Sequence, residues 1–286
     1  IPLVIANARL SPRSFKGYSR VRGLVADTLS DCSVIAAQSP DDAARFIALG
    51  AVPDRVSMIG NLKFDLAMPA KQIAEGRALR ARFGVGRPVW IAASTHADEE
   101  AAALSAHGAV LELLPDAVLI LVPRHPQRFD EVWELIGDSG LRTERRTRLA
   151  ALDQSGHPQN LGQTQVFLGD SMGEMFCYLA AADLAFVGGS LAPVGGHNIL
   201  EPAALGIPVL FGPVMHNFVA ARELLIERGA AIEVGDAPCL AAEVGVLFSD
   251  TAKRTAMGQA GEAAIAGNRG ALERLLKLLD AHAGRP

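Results

Sequence analysis

Nine short apolar runs alternate along the chain with stretches of helical periodicity, and this alternation restricts the fold more than any other feature. The runs are PLVIAN, SVIAA, VSMIG, VWIAAS, VLILVP, QVFLG, LAFVGG, PVLFG and AAIEV. Each is too short for a globular helix and most are rich in β-branched residues, as strands buried on both faces are. The intervening segments, such as Asp98 to Leu114 and Asn217 to Arg228, carry apolar residues at helical spacing. Strands separated by helices must cross over, so the pattern predicts βα units around parallel sheets.

The pattern breaks once, at GNLKFDLAMPA from Gly60 to Ala70. Three strands precede the break and six follow it. Six strands with helices on both faces complete a doubly wound domain, whereas three do not. The sequence therefore predicts the back part of an N-terminal α/β domain over residues 1–62, a linker over 63–70 and a complete C-terminal Rossmann-like domain over 71–286. The opening IPLVIANARL starts inside an expected strand and without Met, which predicts that the chain is the back part of a longer protein.

Composition excludes several classes. The 27 basic and 31 acidic residues leave a net charge of −4, which offers no overall field for nucleic acid or an anionic membrane. Arg142, Arg145, Arg146 and Arg148 read as one solvated face of a strand or loop. Cys32, Cys177 and Cys239 stand in no CxxC or Cys/His spacing, so neither zinc nor a disulfide framework is expected. No apolar run reaches the ~18 to 20 residues of a membrane helix.

In open parallel sheets, ligands bind beyond the carboxyl ends of the strands, so the loops there are where chemistry is sought. The richest is FVGGSLAPVGGHNILEPAALGIPVLFGP, Phe186 to Pro213. Gly188 and Gly189 suit a turn. Gly195, Gly196, His197, Asn198 and Glu201 add a glycine loop, two polar side chains and a carboxylate in the first turn of an expected helix. Free N–H groups at a helix start attract phosphate, and Glu201, a turn further on, suits sugar hydroxyls. After VLILVP, Arg124 offers a planar fork of donors for a phosphate or a cytosine edge, with His125 shaping the loop. After QVFLG, Asp170 or Ser171 is the expected N-cap and Glu174 the capping-box carboxylate, with Met172, Gly173 and Glu174 on the same rim as Arg124. After VWIAAS, Thr95 and His96 are expected to face the crevice, while Asp98, Glu99 and Glu100 read as first-turn caps. His107, His157 and His282 are expected at the surface and His216 at the cleft rim. Lys63, in the linker, reads by default as a solvated lysine, with stabilisation of transition-state charge as the sharper alternative.

These motifs carry a resemblance. NARLSPRSFKGY, GNLKFD, ASTHADEE, LVPRHPQRF, GDSMGEM and the Phe186–Pro213 stretch stand in the order found in the 3-deoxy-D-manno-octulosonic acid (Kdo) transferases and cover the chain almost end to end. The resemblance implies a GT-B glycosyltransferase, without metal or cofactor, that moves Kdo from CMP-Kdo to a lipid A precursor, lipid IV(A), in lipopolysaccharide biosynthesis at the cytoplasmic face of the inner membrane. It implies that Pro123, Arg124, Met172, Gly173, Glu174, Asn198, Ile199, Leu200 and Glu201 form the CMP site, with Lys63 as transition-state stabiliser. It also implies a membrane-associating segment and a general-base glutamate ahead of Ile1, so no carboxylate in this chain is assigned that role. Two other classes share the pattern: a UDP-GlcNAc 2-epimerase-like enzyme, which needs acid/base carboxylates in the cleft, and a sugar-nucleotide-binding module without catalysis.

Overall fold

Ten parallel strands form two sheets in the computed structural model, which describes residues 2–149 and 159–283. The chain divides into two units, one holding the residues up to Leu66 together with those from Ile265 on, the other Ala67–Ala264.

The first unit carries β1 (Val4–Ala8), β2 (Val34–Ala37) and β3 (Val56–Met58) in the order β1-β2-β3. β2 is buried throughout because both of its faces are covered. Ile35 packs with Leu10, Leu29, Phe46 and Leu49 on one face. Val34 and Ala36, pointing the other way by the strand's period of two, pack with Ile59 and Leu275. Leu275 belongs to the helix Ala271–Ala283. The expected division gave residues 71–286 to the C-terminal domain, and the final helix departs from it. It is held in the first unit by the Asp65 carboxylate, which accepts from the N–H groups of Gly270 and Leu272 at 2.6 Å each. Arg274 adds a bond from Nε to the Ile59 carbonyl at 2.7 Å. Sequence periodicity reports a helix and its apolar face but not which sheet receives that face.

The second unit contains β4 (Val89–Thr95), β5 (Val118–Pro123), β6 (Thr143–Arg145), β7 (Val166–Leu168), β8 (Leu184–Val187), β9 (Val209–Phe211) and β10 (Ala231–Glu233), ordered β10-β9-β8-β4-β5-β7-β6. Trp90, Leu119, Leu168 and Phe186 lie in the core on one face and Ile91, Ile120, Phe167 and Ala185 in that on the other. Each such large side chain contributes about 1.5–3 kcal/mol by leaving water. Among the described residues, seven strands stand where six were expected. The additional one, β6, has the sequence TER and pairs only with β7 at the sheet edge, so it lacks the apolar signature by which strands were recognised.

The arginine run is likewise less solvated than expected. Arg145 pairs with Asp170 at 2.8 Å and Arg146 with Glu174 at 2.7 Å, whereas Arg148 stays largely exposed. His107, expected at the surface, is fully buried between Trp90 Nε1, which donates to His107 Nδ1 at 3.1 Å, and the Gln165 carbonyl, 3.0 Å from Nε2. Its partners are 17 and 58 residues away, so local spacing did not expose them. His157 lies outside the described residues; His282 is half-buried, 2.7 Å from the Leu278 carbonyl. Among the described residues, no helix is long and apolar enough to cross a membrane.

Candidate nucleotide site

The strand order reverses between β4 and β8, from which successive strands are laid down in opposite directions. Adjacent crossovers leave to opposite faces there and open a crevice at the carboxyl ends. A cavity of about 380 Å³ lies in this region, lined by Ser94, Val122, Pro123, Arg124, Ser171, Met172, Gly173, Met175, Tyr178, His197, Asn198, Glu201 and Phe218. Of the nine nucleotide-site residues expected from sequence, the cavity brings together Pro123, Arg124, Met172, Gly173, Asn198 and Glu201. The side chains of Ile199 and Leu200 are buried in the core instead, at 0% and 1% exposure. Glu174 stands outside the lining.

β4 ends in an unusual turn. Ser94 has φ +57°, in the left-handed region, and the β4–β5 register shifts between Ala93 and Thr95. A non-glycine residue adopts that conformation at a cost, and such residues concentrate at binding sites. The turn buries Thr95 completely, contrary to the expectation that it faces the crevice. The Thr95 carbonyl accepts from the Arg124 N–H at 2.9 Å, which joins the ends of β4 and β5.

Glu99 and Glu100 do more than cap. Glu99 accepts from the His96 N–H at 3.0 Å, as a first-turn carboxylate does. It is also 1% exposed, and its oxygens accept from the N–H groups of Gly189, Ser190, Leu191 and Ala192 at 2.7 to 3.3 Å. The donors after β8 that resemble an anion nest are therefore filled by a side chain 90 residues earlier. Glu100, fully buried, pairs with Arg128 at 2.6 Å and so fixes the loop that follows Arg124.

The rest of the glycine loop folds back on this turn. Gly196 N–H donates to the Gly189 carbonyl and His197 N–H to that of Gly188. Gly189 has φ +66°, and a Cβ there would stand 2.7 Å from the His197 ring, so glycine is required on both counts. The helix begins only at Leu200, and the glycines do not open it. Asn198 joins the two parts: its Oδ1 accepts from the Leu200 N–H at 3.1 Å and its Nδ2 donates to Glu201 Oε1 at 3.0 Å. Burial raises the Glu201 carboxyl above its ordinary value, with the Asn198 bond acting in the opposite direction. His216 is exposed beside Gly195, away from the cavity lining.

On the opposite rim, the capping box expected from Asp170 or Ser171 to Glu174 is absent. The helix is Met175–Ala180, Glu174 is itself the N-cap residue, and it makes no side-chain cap bond. Asp170 is taken by Arg145 and by the Thr147 N–H at 2.8 Å. The Glu174 carboxylate meets Arg146 with two bonds, of 2.7 and 3.1 Å, and accepts from the Ser171 hydroxyl. Arg146, foremost, holds Glu174 below its ordinary pKa. Tyr178 lines the cavity and closes this network at 3.4 Å from Glu174. Partners 23 to 28 residues apart in sequence gave no signal of these pairs. Lys63 lies in the first unit, exposed on the turn Leu62–Phe64. The Asn61 side chain accepts from its N–H at 3.0 Å, and Asn7, with φ +52°, accepts from the Leu62 N–H at 3.2 Å. Among the described residues no group of three His, Cys, Asp or Glu side chains could hold a metal ion.

Residues 1–66 match the family model for 3-deoxy-D-manno-octulosonic-acid transferase. A 3-deoxy-D-manno-octulosonic acid transferase of Haemophilus influenzae is 39% identical over 98% of this chain, and the chain spans 64% of that relative's length. The crystal structure of the C-terminal CMP-Kdo binding domain of WaaA from Acinetobacter baumannii is 34% identical with a TM-score of 0.62, covering 69% of this chain and 99% of that one. The Anabaena protein HepE, solved with UDP-glucose, shares the fold alone, at 18% identity and a TM-score of 0.52 over 99% of this chain and 72% of its own. This chain belongs to the 3-deoxy-D-manno-octulosonic acid transferase family.

Proposed function

We propose that the second unit binds CMP-Kdo in the cavity at the β4–β8 reversal, and that the protein transfers Kdo from it to a lipid A precursor, lipid IV(A), in lipopolysaccharide biosynthesis. The observation that carries this reading is the convergence of Arg124, Met172, Gly173, Asn198 and Glu201, from three separate loops, on one cavity of nucleotide size. Arg124 presents its guanidinium to the phosphate. Glu201, oriented by Asn198, accepts from ribose hydroxyls, and the Met172–Gly173 backbone flanks the base. Glu174 acts through the shape of that backbone. Lys63 stabilises charge developing on the departing phosphate or the reacting sugar. The acceptor lipid places the reaction at the cytoplasmic face of the inner membrane.

The epimerase alternative requires free acid/base carboxylates near the cleft. Glu99, Glu100 and Glu174 are all engaged, by loop N–H groups, Arg128 and Arg146 respectively, and Glu201, the carboxylate in the cavity lining, is held by Asn198. Calorimetric titration of the chain with CMP, UMP and UDP tests the reading: CMP should bind at least tenfold more tightly than either uridine nucleotide. A preference for UDP would overturn it.

A further inference from the structure

Three imidazoles meet beside the cavity, and the nucleotide contacts assigned above use none of them. The His96 and His197 rings are nearly parallel, with an interplanar angle of 5°, centroids 5.2 Å apart and Nε2 atoms 2.9 Å apart. His125 stands edge-on to His96, at 5.3 Å and 78°. Two nitrogens at 2.9 Å need one proton between them, because two bare lone pairs repel and two N–H groups collide. Two neutral rings carry two protons in all. One fills the gap, the second sits on Nδ1 of the accepting ring, and Nδ1 of the donating ring is vacant.

His197 is the member that lines the cavity, beside Arg124. Its pKa is lowered to about 4, first by burial and then by His96, Arg124 and His125, with Glu99 acting in the opposite direction. Glu99 is the only acidic group in this set, and its oxygens are engaged by the loop N–H groups. The site thus holds cationic and potentially cationic groups around a ring kept neutral until a negative charge arrives.

We propose that the His96–His197 pair, together with Arg124, seats the phosphate of the nucleotide and takes up one proton from solvent when that anion binds. The inference rests on the nucleotide reading above. A phosphodiester against the pair offsets Arg124 and offers the imidazolium a partner, so bound-state protonation becomes favourable. The incoming proton occupies the vacant Nδ1, and the added positive charge balances the ligand's negative one. The sign follows: the anion raises the pKa of His197, so affinity increases as pH falls from the bound-state value toward about 4, by up to tenfold per unit, and is flat above.

The test uses the methyl ester of cytidine 5′-monophosphate, a diester whose single charge does not titrate here. A monoester ionises a second time at about 6 and would itself exchange protons. Titration calorimetry at pH 6.5, in two buffers of different ionisation enthalpy, should show uptake approaching one proton for the diester and none for cytidine. Diester affinity should rise at least fivefold from pH 7.5 to 5.5. His197→Gln and His96→Gln should each abolish the uptake and flatten this dependence, with cytidine binding as the measure of an intact pocket. Diester binding without proton uptake, or with the same uptake in both variants, overturns the inference and leaves the nucleotide reading standing. Failure of both the diester and cytidine to bind overturns the nucleotide reading itself.

Discussion

Single side chains divide the proposed chemistry into separable parts. Glu201→Ala should weaken CMP binding by about 1–3 kcal/mol, the range for a hydrogen bond to a charged group, and calorimetry reads this directly. Unchanged affinity in a folded variant would reduce Glu201 to a partner of Asn198. Arg124→Lys should not restore the binding lost in Arg124→Ala, because a point charge cannot replace two parallel donors. In a reconstructed full-length enzyme, Lys63→Ala should lower kcat by on the order of 10²-fold while CMP affinity stays within about twofold, since the role proposed for it belongs to the transition state. Steady-state kinetics beside calorimetry separates that outcome from a lysine that grips the nucleotide, which would raise KM at constant kcat. At this scale the sequence revealed residue types in their loops but not their partners. Arg124, Asn198 and Glu201 were legible because each follows a recognisable strand. The engagement of Glu99 by residues 90 positions away and of Glu174 by Arg146 was not, because those pairs depend on which strands become neighbours.

Between elements, small residues determine how closely helices approach. Gly76, in the helix Ala70–Phe83, faces the helix Met175–Ala180, where a Cβ would stand 2.8 Å from Ala180 Cβ and collide with the Cys177 carbonyl. Gly76→Ala should therefore destabilise the protein by about 1–3 kcal/mol despite alanine's better helix propensity. Gly108 lies within the helix Ala97–Leu113 with open space around its Cβ position. Gly108→Ala should instead stabilise by about 0.5–1 kcal/mol. Urea midpoints on both variants should move in opposite directions. Element type was the most legible property of this sequence: all nine expected strands form, because apolar runs between helical periods have few other uses. β6 escaped notice because an edge strand of polar composition satisfies one neighbour only and needs no apolar code. The start of the helix Met175–Ala180 was placed too early because Asp170 and Ser171 have the chemistry of caps, but Arg145 and Glu174 claim them first.

For the whole molecule, His107 links stability to pH. Burial lowers its pKa to about 4 from an ordinary 6.5. The unfolded chain therefore binds a proton that the folded chain refuses at intermediate pH, so this stability is complete above 6.5 and declines as pH falls toward 4. The full loss is about 3 kcal/mol. Thermal melts between pH 7.5 and 4.5 should show this slope, and His107→Gln should reduce it by nearly one proton at a lower overall stability. The division of the chain was legible at the break after β3 but not at its far end, because a helix of regular periodicity does not announce its sheet. The return of Ala271–Ala283 to the first unit has a consequence for biosynthesis. The second unit is an insertion within the first. A ribosome adding about 5–20 residues per second completes the strands near the start of this sequence well before it delivers the helix that covers Val34, Ala36 and Ile59. For some tens of seconds that sheet face waits, while the inserted unit has every strand it needs to close. Nascent chains ending at residue 264 and tethered by a linker that clears the ribosome should accordingly display a protease-resistant second unit beside a cleavable first one, and chaperone demand should fall on β1 to β3.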